Sequence, residues 1–161
     1  MDMEAPLSIF QVGWPLYLEH LSAAIAPLTP EQLDLQVAPH LRSIRKLAVH
    51  IITGRAWWLH WVMREGPPEL APMADWNDEG QPSWSALQIV QGLDRTWAVL
   101  ADGLRRWTPA DLAETFQHPR RGPEKKYSRQ WIVWHIAEHD IYHGGELSFS
   151  LGIHGLPAID L

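Results

Sequence analysis

Residues Trp134-His135-Ile136-Ala137-Glu138-His139-Asp140-Ile141-Tyr142-His143-Gly144-Gly145-Glu146-Leu147 decide how the chain is read. Three histidines recur here every four residues. On a helix, four residues advance roughly 400°, so each imidazole lies only about 40° round from the last. All three then project on one side together with Ile132, Ile136 and Leu147, a side apolar enough to face a core. The spacing predicts a helix from just after Ser128 to about Leu151, stopped by Gly152, Gly155 and Pro157.

Three upstream segments carry the same period. The first runs from about Leu7 to Ala26, with Phe10, Trp14, Leu18, Leu21 and Ile25 on its apolar face. Pro15 is expected to kink or restart it. The second starts after Ser43, a favourable N-cap, and extends to about Gly66-Pro67-Pro68. Its stripe of Leu47, His50, Gly54, Trp57 and Trp61, flanked by Ile44, Ile51, Trp58 and Val62, predicts a mostly buried helix. The third runs from Ser83 or Ser85 to Trp107, with Leu87, Val90, Leu93, Trp97, Leu100 and Leu104 as its core face. Thr29-Pro30-Glu31-Gln32 and Thr108-Pro109-Ala110-Asp111 read as short helical turns. Pro67 to Pro82 reads as a long crossing loop, and Thr115 to Tyr127 as a turn or weak hairpin. The expectation is one all-α domain over residues 1–161, a four-helix bundle with a long crossover.

Composition narrows the function. A chain of 161 residues, 46% hydrophobic, is long enough to enclose a core, and its ten tryptophans must be mostly buried or at an interface. The net charge of −6, with nine histidines counted neutral, argues against nucleic-acid binding, which relies on a positive field. With no cysteine, disulfides, thiolate ligands and a cysteine nucleophile are excluded, so any metal is held by imidazole and carboxylate. Met1 to Pro6 lacks the basic start of a signal peptide, and no apolar run approaches the ~20 residues of a membrane span. A cytoplasmic location is expected.

The histidines point to a divalent metal. His135 and His143 lie roughly 12 Å apart along the axis, too far to share an ion with bonds of about 2.0–2.1 Å. An adjacent pair can share one, so the site uses His135 with His139 or His139 with His143. A further ligand must come from another helix, and His50 stands within an apolar stripe, with space beside it at Gly54. His60 faces elsewhere, and His20, His40, His118 and His154 fall near helix edges or in loops. Three imidazoles with an open position suit zinc, nickel or iron(II). The alternatives are a protonation switch or histidines serving as aromatic core.

Three stretches together resemble the DinB-like superfamily, the DNA-damage-inducible helical bundles rather than the polymerase of similar name. They are Leu28-Thr29-Pro30-Glu31-Gln32-Leu33, Ser43-Ile44-Arg45-Lys46-Leu47-Ala48-Val49-His50-Ile51, and the histidine helix through Gly144-Gly145-Glu146-Leu147. The resemblance implies an up-down-down-up bundle, often a homodimer, with a metal on His50, His139 and His143; His135 matches a position that is not normally a ligand. It also implies thiol-dependent chemistry: transfer of a low-molecular-weight thiol to a small-molecule electrophile, or a related isomerisation. Hydrolysis by a metal-bound hydroxide is the neighbouring possibility, with Asp140 and Glu146 as candidate bases, imidazole-orienting acceptors or surface acids. A non-catalytic metal-binding stress-response bundle is the third.

The family commonly has Arg-Gly after its last histidine, where this chain has Gly144-Gly145. Ala137, Ile141, Gly144, Gly145 and Ser148 would form a low-relief face, read as a dimer contact or as packing within the bundle. Arg120, Arg121, Lys125, Lys126 and Arg129 form a basic cluster that either guides an anion or is merely solvated. Trp57, Trp58, Trp61, Trp131 and Trp134 are read as core or as the lining of a substrate pocket.

Overall fold

The computed structural model describes residues 8–119, 122 and 124–160, with the backbone alone at 8 and 9. Arg120, Arg121 and the first residues of the chain, including Leu7, lie outside the described residues. Four long helices carry the fold: α1 (Ser8–Ile25), α3 (Ile44–Ala56), α4 (Ala86–Arg106) and α6 (Arg129–Ile153). Short helices α2 (Pro30–Leu33) and α5 (Pro109–Ala113) sit at the two predicted turns. Each begins with a capping box at Thr29 or Thr108, in which side chain and backbone satisfy each other's free donors. Ser43, Ser85 and Ser128 each accept a backbone N–H at the start of α3, α4 and α6, a cap worth about 1 kcal/mol.

Side-chain contacts fix the helix directions. Gln11 near the start of α1 donates to the Leu104 carbonyl near the end of α4, so these two run antiparallel. Gly92 of α4 faces Ile52 of α3, and Arg55 reaches Leu93 and Thr96, so α3 and α4 run parallel. His50 meets His143 while Trp58 meets His135, so α3 and α6 are antiparallel. The order is up-down-down-up. The parallel α3–α4 pair requires the long return between them, which is not wholly irregular. It contains a 3₁₀ helix, Pro68–Asp75, whose Leu70, Met73 and Ala74 are buried.

Three local readings are corrected. The predicted second helix does not continue uniformly to Gly66: after Ala56 it widens into a π-helical segment, Trp57–Val62. Buried Trp58, Leu59 and Val62 determine this end of the helix by packing rather than by the α-helical period. The core face of α4 is rotated from the expected one. Leu87 is 66% exposed, while Ile89, Gly92, Leu93, Thr96, Leu100, Gly103 and Leu104 are buried. Two glycines and a threonine hold buried positions there, so an apolar count misplaces the stripe. Pro15 lies within a single helix α1, so the helix is not restarted there; α1 packs on α4 and bonds to α6 through Trp14 and Tyr17. The weak hairpin is present as β1 (Thr115–Gln117) antiparallel to β2 (Lys126–Ser128).

Arg129 is no part of a solvated basic run. Its guanidinium is buried against the Trp107 and Phe116 rings and paired with Glu65 and Glu114, both at 2.6 Å. It fastens the hairpin and the start of α6 to the end of the π-helical segment.

Candidate metal centre

His50 projects from α3, and His139 and His143 from successive turns of α6, into one space between the helices. One nitrogen from each ring lies within 4.8 Å of the others. The Nε2 atoms of His50 and His139 face each other at 3.2 Å. Two ligands of a tetrahedral ion with bonds of about 2.0–2.1 Å stand roughly 3.3 Å apart, so this pair already has a ligand-like separation. Gly54 makes the approach possible: a Cβ there would lie 2.8 Å from His139 Cε1.

The electrostatics favour neutral rings. Burial, reinforced by the neighbouring Arg42 and His143, pulls His50 down to about 4. Burial, then His143 and His50, pulls His139 down to about 3. Both therefore present lone pairs at neutral pH, the form a cation requires. His143 Nδ1 is 2.6 Å from Glu146 Oε2, a contact that fixes the ring and leaves Nε2 for a ligand. His50 Nδ1 is buried without a hydrogen-bond partner. A proton on Nε2 would serve only the weak contact to His139. The donor set thus fits a divalent ion held by three imidazoles.

His135 stands apart from this group. Its ring stacks on Trp131 at 4.9 Å and 14° and packs edge-on to Trp58. Of the two adjacent pairs permitted by spacing, the converging one is His139 with His143. His118, read as a loop residue, is buried among Trp57, Trp58 and Tyr127 because the hairpin folds over the π-helical segment. The five tryptophans do not line one pocket. Trp58 is core, whereas Trp134 is 55% exposed and borders a separate apolar groove with Phe10 and Trp14.

Asp140 is neither a surface acid nor a free base. It is fully buried, with Oδ2 2.7 Å from Arg55 Nη2 and 2.9 Å from the donating Trp14 Nε1. Burial pushes its carboxyl up, against the opposing pull of Arg55 and Trp14. Arg55, not singled out in the sequence, also donates to the Leu93 carbonyl and Thr96 Oγ1, so one buried pair joins all four long helices beside the triad. The only sequence signal was an arginine adjoining a glycine within a buried stripe.

The low-relief face is also revised. The Tyr17 hydroxyl occupies the space where any side chain at Gly144 would stand, and it donates to the Asp140 carbonyl at 2.7 Å. Ser148 bonds both backbone groups of Ile159. Gly144 therefore serves packing within the bundle, and only part of the face is open.

A family model for the DinB superfamily matches residues 18–147. The fold is similar to that of a DinB-like protein from Bacillus cereus ATCC 10987, with TM-score 0.71 and 19% identity, covering 96% of this chain and 97% of that one. It is also similar to a conserved protein from Enterococcus faecalis, with TM-score 0.70 and 13% identity over 91% of this chain and 95% of the other. Among curated proteins, none matches this chain. Among the described residues no helix is long and apolar enough to cross a membrane. With a family match that spans most of the sequence and the bundle it calls for, the chain belongs to the DinB superfamily.

Proposed function

We propose that the protein is a divalent-metal-dependent enzyme that joins a low-molecular-weight thiol to a small electrophile. The observation that carries this reading is the convergence of three imidazoles from two helices, with ligand atoms within 4.8 Å of one another. His50, His139 and His143 would hold zinc, nickel or iron(II), and Glu146 would orient His143. Such an ion supplies Lewis acidity and favours the thiolate at neutral pH. The chain contains no cysteine, so the sulfur must arrive with a cosubstrate. The thiol proton passes to solvent, the sulfur electron pair forms a bond to the electrophilic carbon, and the leaving group departs with the pair of the broken bond. Trp58 and His135 pack along the flank of the triad nearest the hairpin.

Hydrolysis is less well supported, because both carboxylates considered as its base are engaged: Asp140 by Arg55 and Trp14, Glu146 by His143. The proposal includes a cytoplasmic location. It also includes a homodimer, formed through the exposed apolar side chains Leu16, Trp134 and Ile141 on α1 and α6. Metal analysis of the purified protein and of His50→Ala, His139→Ala and His143→Ala tests the centre. Thiol consumption with a reactive electrophile, lost on chelation and restored by metal, is the expected activity. Stoichiometric metal with no turnover across thiols and metals would leave a non-catalytic, stress-response binding role in its place.

A further inference from the structure

A groove of about 410 Å³ opens between the segment joining α2 to α3 and the later turns of α6, within the size range of small-molecule sites. It adjoins the triad. Leu47 in its wall lies one helical turn before His50, and Glu146 in its wall contacts His143. Its sides carry unusual apolar exposure, with Phe149 63% and Leu41 47% accessible. Its lining carries one cationic and one acidic side chain, Arg42 and Glu146. Glu146 is held against His143, whereas Arg42 is exposed, makes no hydrogen bond or ion pair among the described residues, and acts on His50 only through its charge. His40 stands beside Arg42 in the same lining.

We propose that this groove seats a small amphiphilic carboxylate, its carboxylate on the Arg42 guanidinium and its apolar body between Leu41, Leu47 and Phe149. A planar guanidinium fork matches a carboxylate in two parallel hydrogen bonds. A single arginine suits one negative charge better than the two of a phosphate monoester. Glu146 in the groove wall contacts His143, so the groove and the triad share a border. This inference deepens the metal-enzyme reading by naming its substrate class, and rests on that reading only for what happens at that border.

The test titrates the purified full-length protein, with and without zinc, with phenylacetate, hydrocinnamate and phenylbutyrate, followed by amide NMR and calorimetry. Shifts are expected at residues 37–47 and 146–150. Binding should weaken about tenfold or more in Arg42→Ala, with partial rescue in Arg42→Lys, and phenylbutanol should bind about tenfold more weakly than phenylbutyrate. Arg42 is exposed, and because its charge also acts on His50, zinc affinity of Arg42→Ala is measured alongside; carboxylate binding that falls in the metal-free protein as well assigns the loss to the groove. Undiminished affinity in Arg42→Ala, equal affinity for the alcohol, absence of saturable binding, or shifts confined to the groove of Phe10 and Trp134 would each overturn the proposal. N-acetylcysteine against its amide then shows which reactant brings the carboxylate: Arg42-dependent binding of the acid alone assigns it to the thiol, and binding of the phenylalkanoates alone assigns it to the electrophile. Failure of the metal reading would appear separately, as absent metal with carboxylate binding intact.

Discussion

Replacing Gly54 by alanine adds one methyl group to α3, directed at the His139 ring. The new carbon would lie 2.8 Å from His139 Cε1 and 3.3 Å from both ring nitrogens. Carbon atoms rest at about 3.5–4.0 Å, so the ring must retreat by roughly 0.7 Å or more. Overpacking costs about 1–3 kcal/mol, and removing a helical glycine returns about 1 kcal/mol. The net destabilisation is therefore roughly 0–2 kcal/mol, a fall of no more than about 8 °C at this chain length. Metal–ligand distances tolerate only about 0.2 Å, so the same displacement removes His139 as a ligand. Metal affinity should fall by more than the roughly 10–100-fold expected for losing an outer-shell partner. Gly92→Ala is the control: its Cβ would meet Trp76 and Ile52 at 2.8 and 2.9 Å, away from the triad, and should reduce stability alone. Competition with a chromogenic chelator and thermal melts of the metal-free proteins measure the two effects. A folded Gly54→Ala protein that holds zinc as tightly as the parent would refute the reasoning.

Asp140→Asn leaves the Arg55 charge buried without its counter-ion and should cost about 3–5 kcal/mol, read from urea midpoints; a change below about 1 kcal/mol would count against the pair as a structural anchor. Glu146→Gln should lower zinc affinity about 10–100-fold while leaving the melting temperature of the metal-free protein unchanged, as judged by the same competition assay. Acidification should destabilise the metal-free protein. Unfolded histidines titrate near 6.5, whereas folded His50 and His139 resist protonation down to about 4 and about 3. Between those values the unfolded chain binds more protons, so stability is lost as pH falls below about 6.5. Because both rings are partly exposed, roughly 1–2 kcal/mol is expected between pH 7 and 5. Equal urea midpoints at the two pH values would contradict the depressed values.

The bundle was legible because its long helices repeat apolar residues at the helical period, and because caps and prolines mark their joints. The histidine helix was legible for the same reason: a four-residue repeat puts His135, His139 and His143 on one side whatever the fold. Geometry within one helix could not choose between the two adjacent pairs. That choice depends on where α3 lies, and thus on contacts across 89 residues of sequence between His50 and His139. The same limit hid Arg55–Asp140, separated by 85 residues: a charge reads as surface until its partner is known. Arg129 was misplaced for a similar reason, since Glu65, Glu114 and two aromatic rings reach it only after the hairpin closes. The α4 stripe was legible in part: Leu93, Leu100 and Leu104 are buried as expected, whereas Leu87 is exposed. Gly92, Thr96 and Gly103 occupy tight spaces that hydrophobicity does not register.

The division of the triad between α3 and α6 has a consequence for synthesis. One imidazole and the arginine of the buried pair are translated before α4, whereas the other two imidazoles and the matching carboxylate emerge with α6, the last of the described helices. A nascent or truncated polypeptide ending before residue 139 therefore has Arg55 without its carboxylate and only one imidazole of the triad. The proposed chelation would therefore require synthesis to have passed His143, so an ion held there would distinguish chains that carry α6 from shorter fragments.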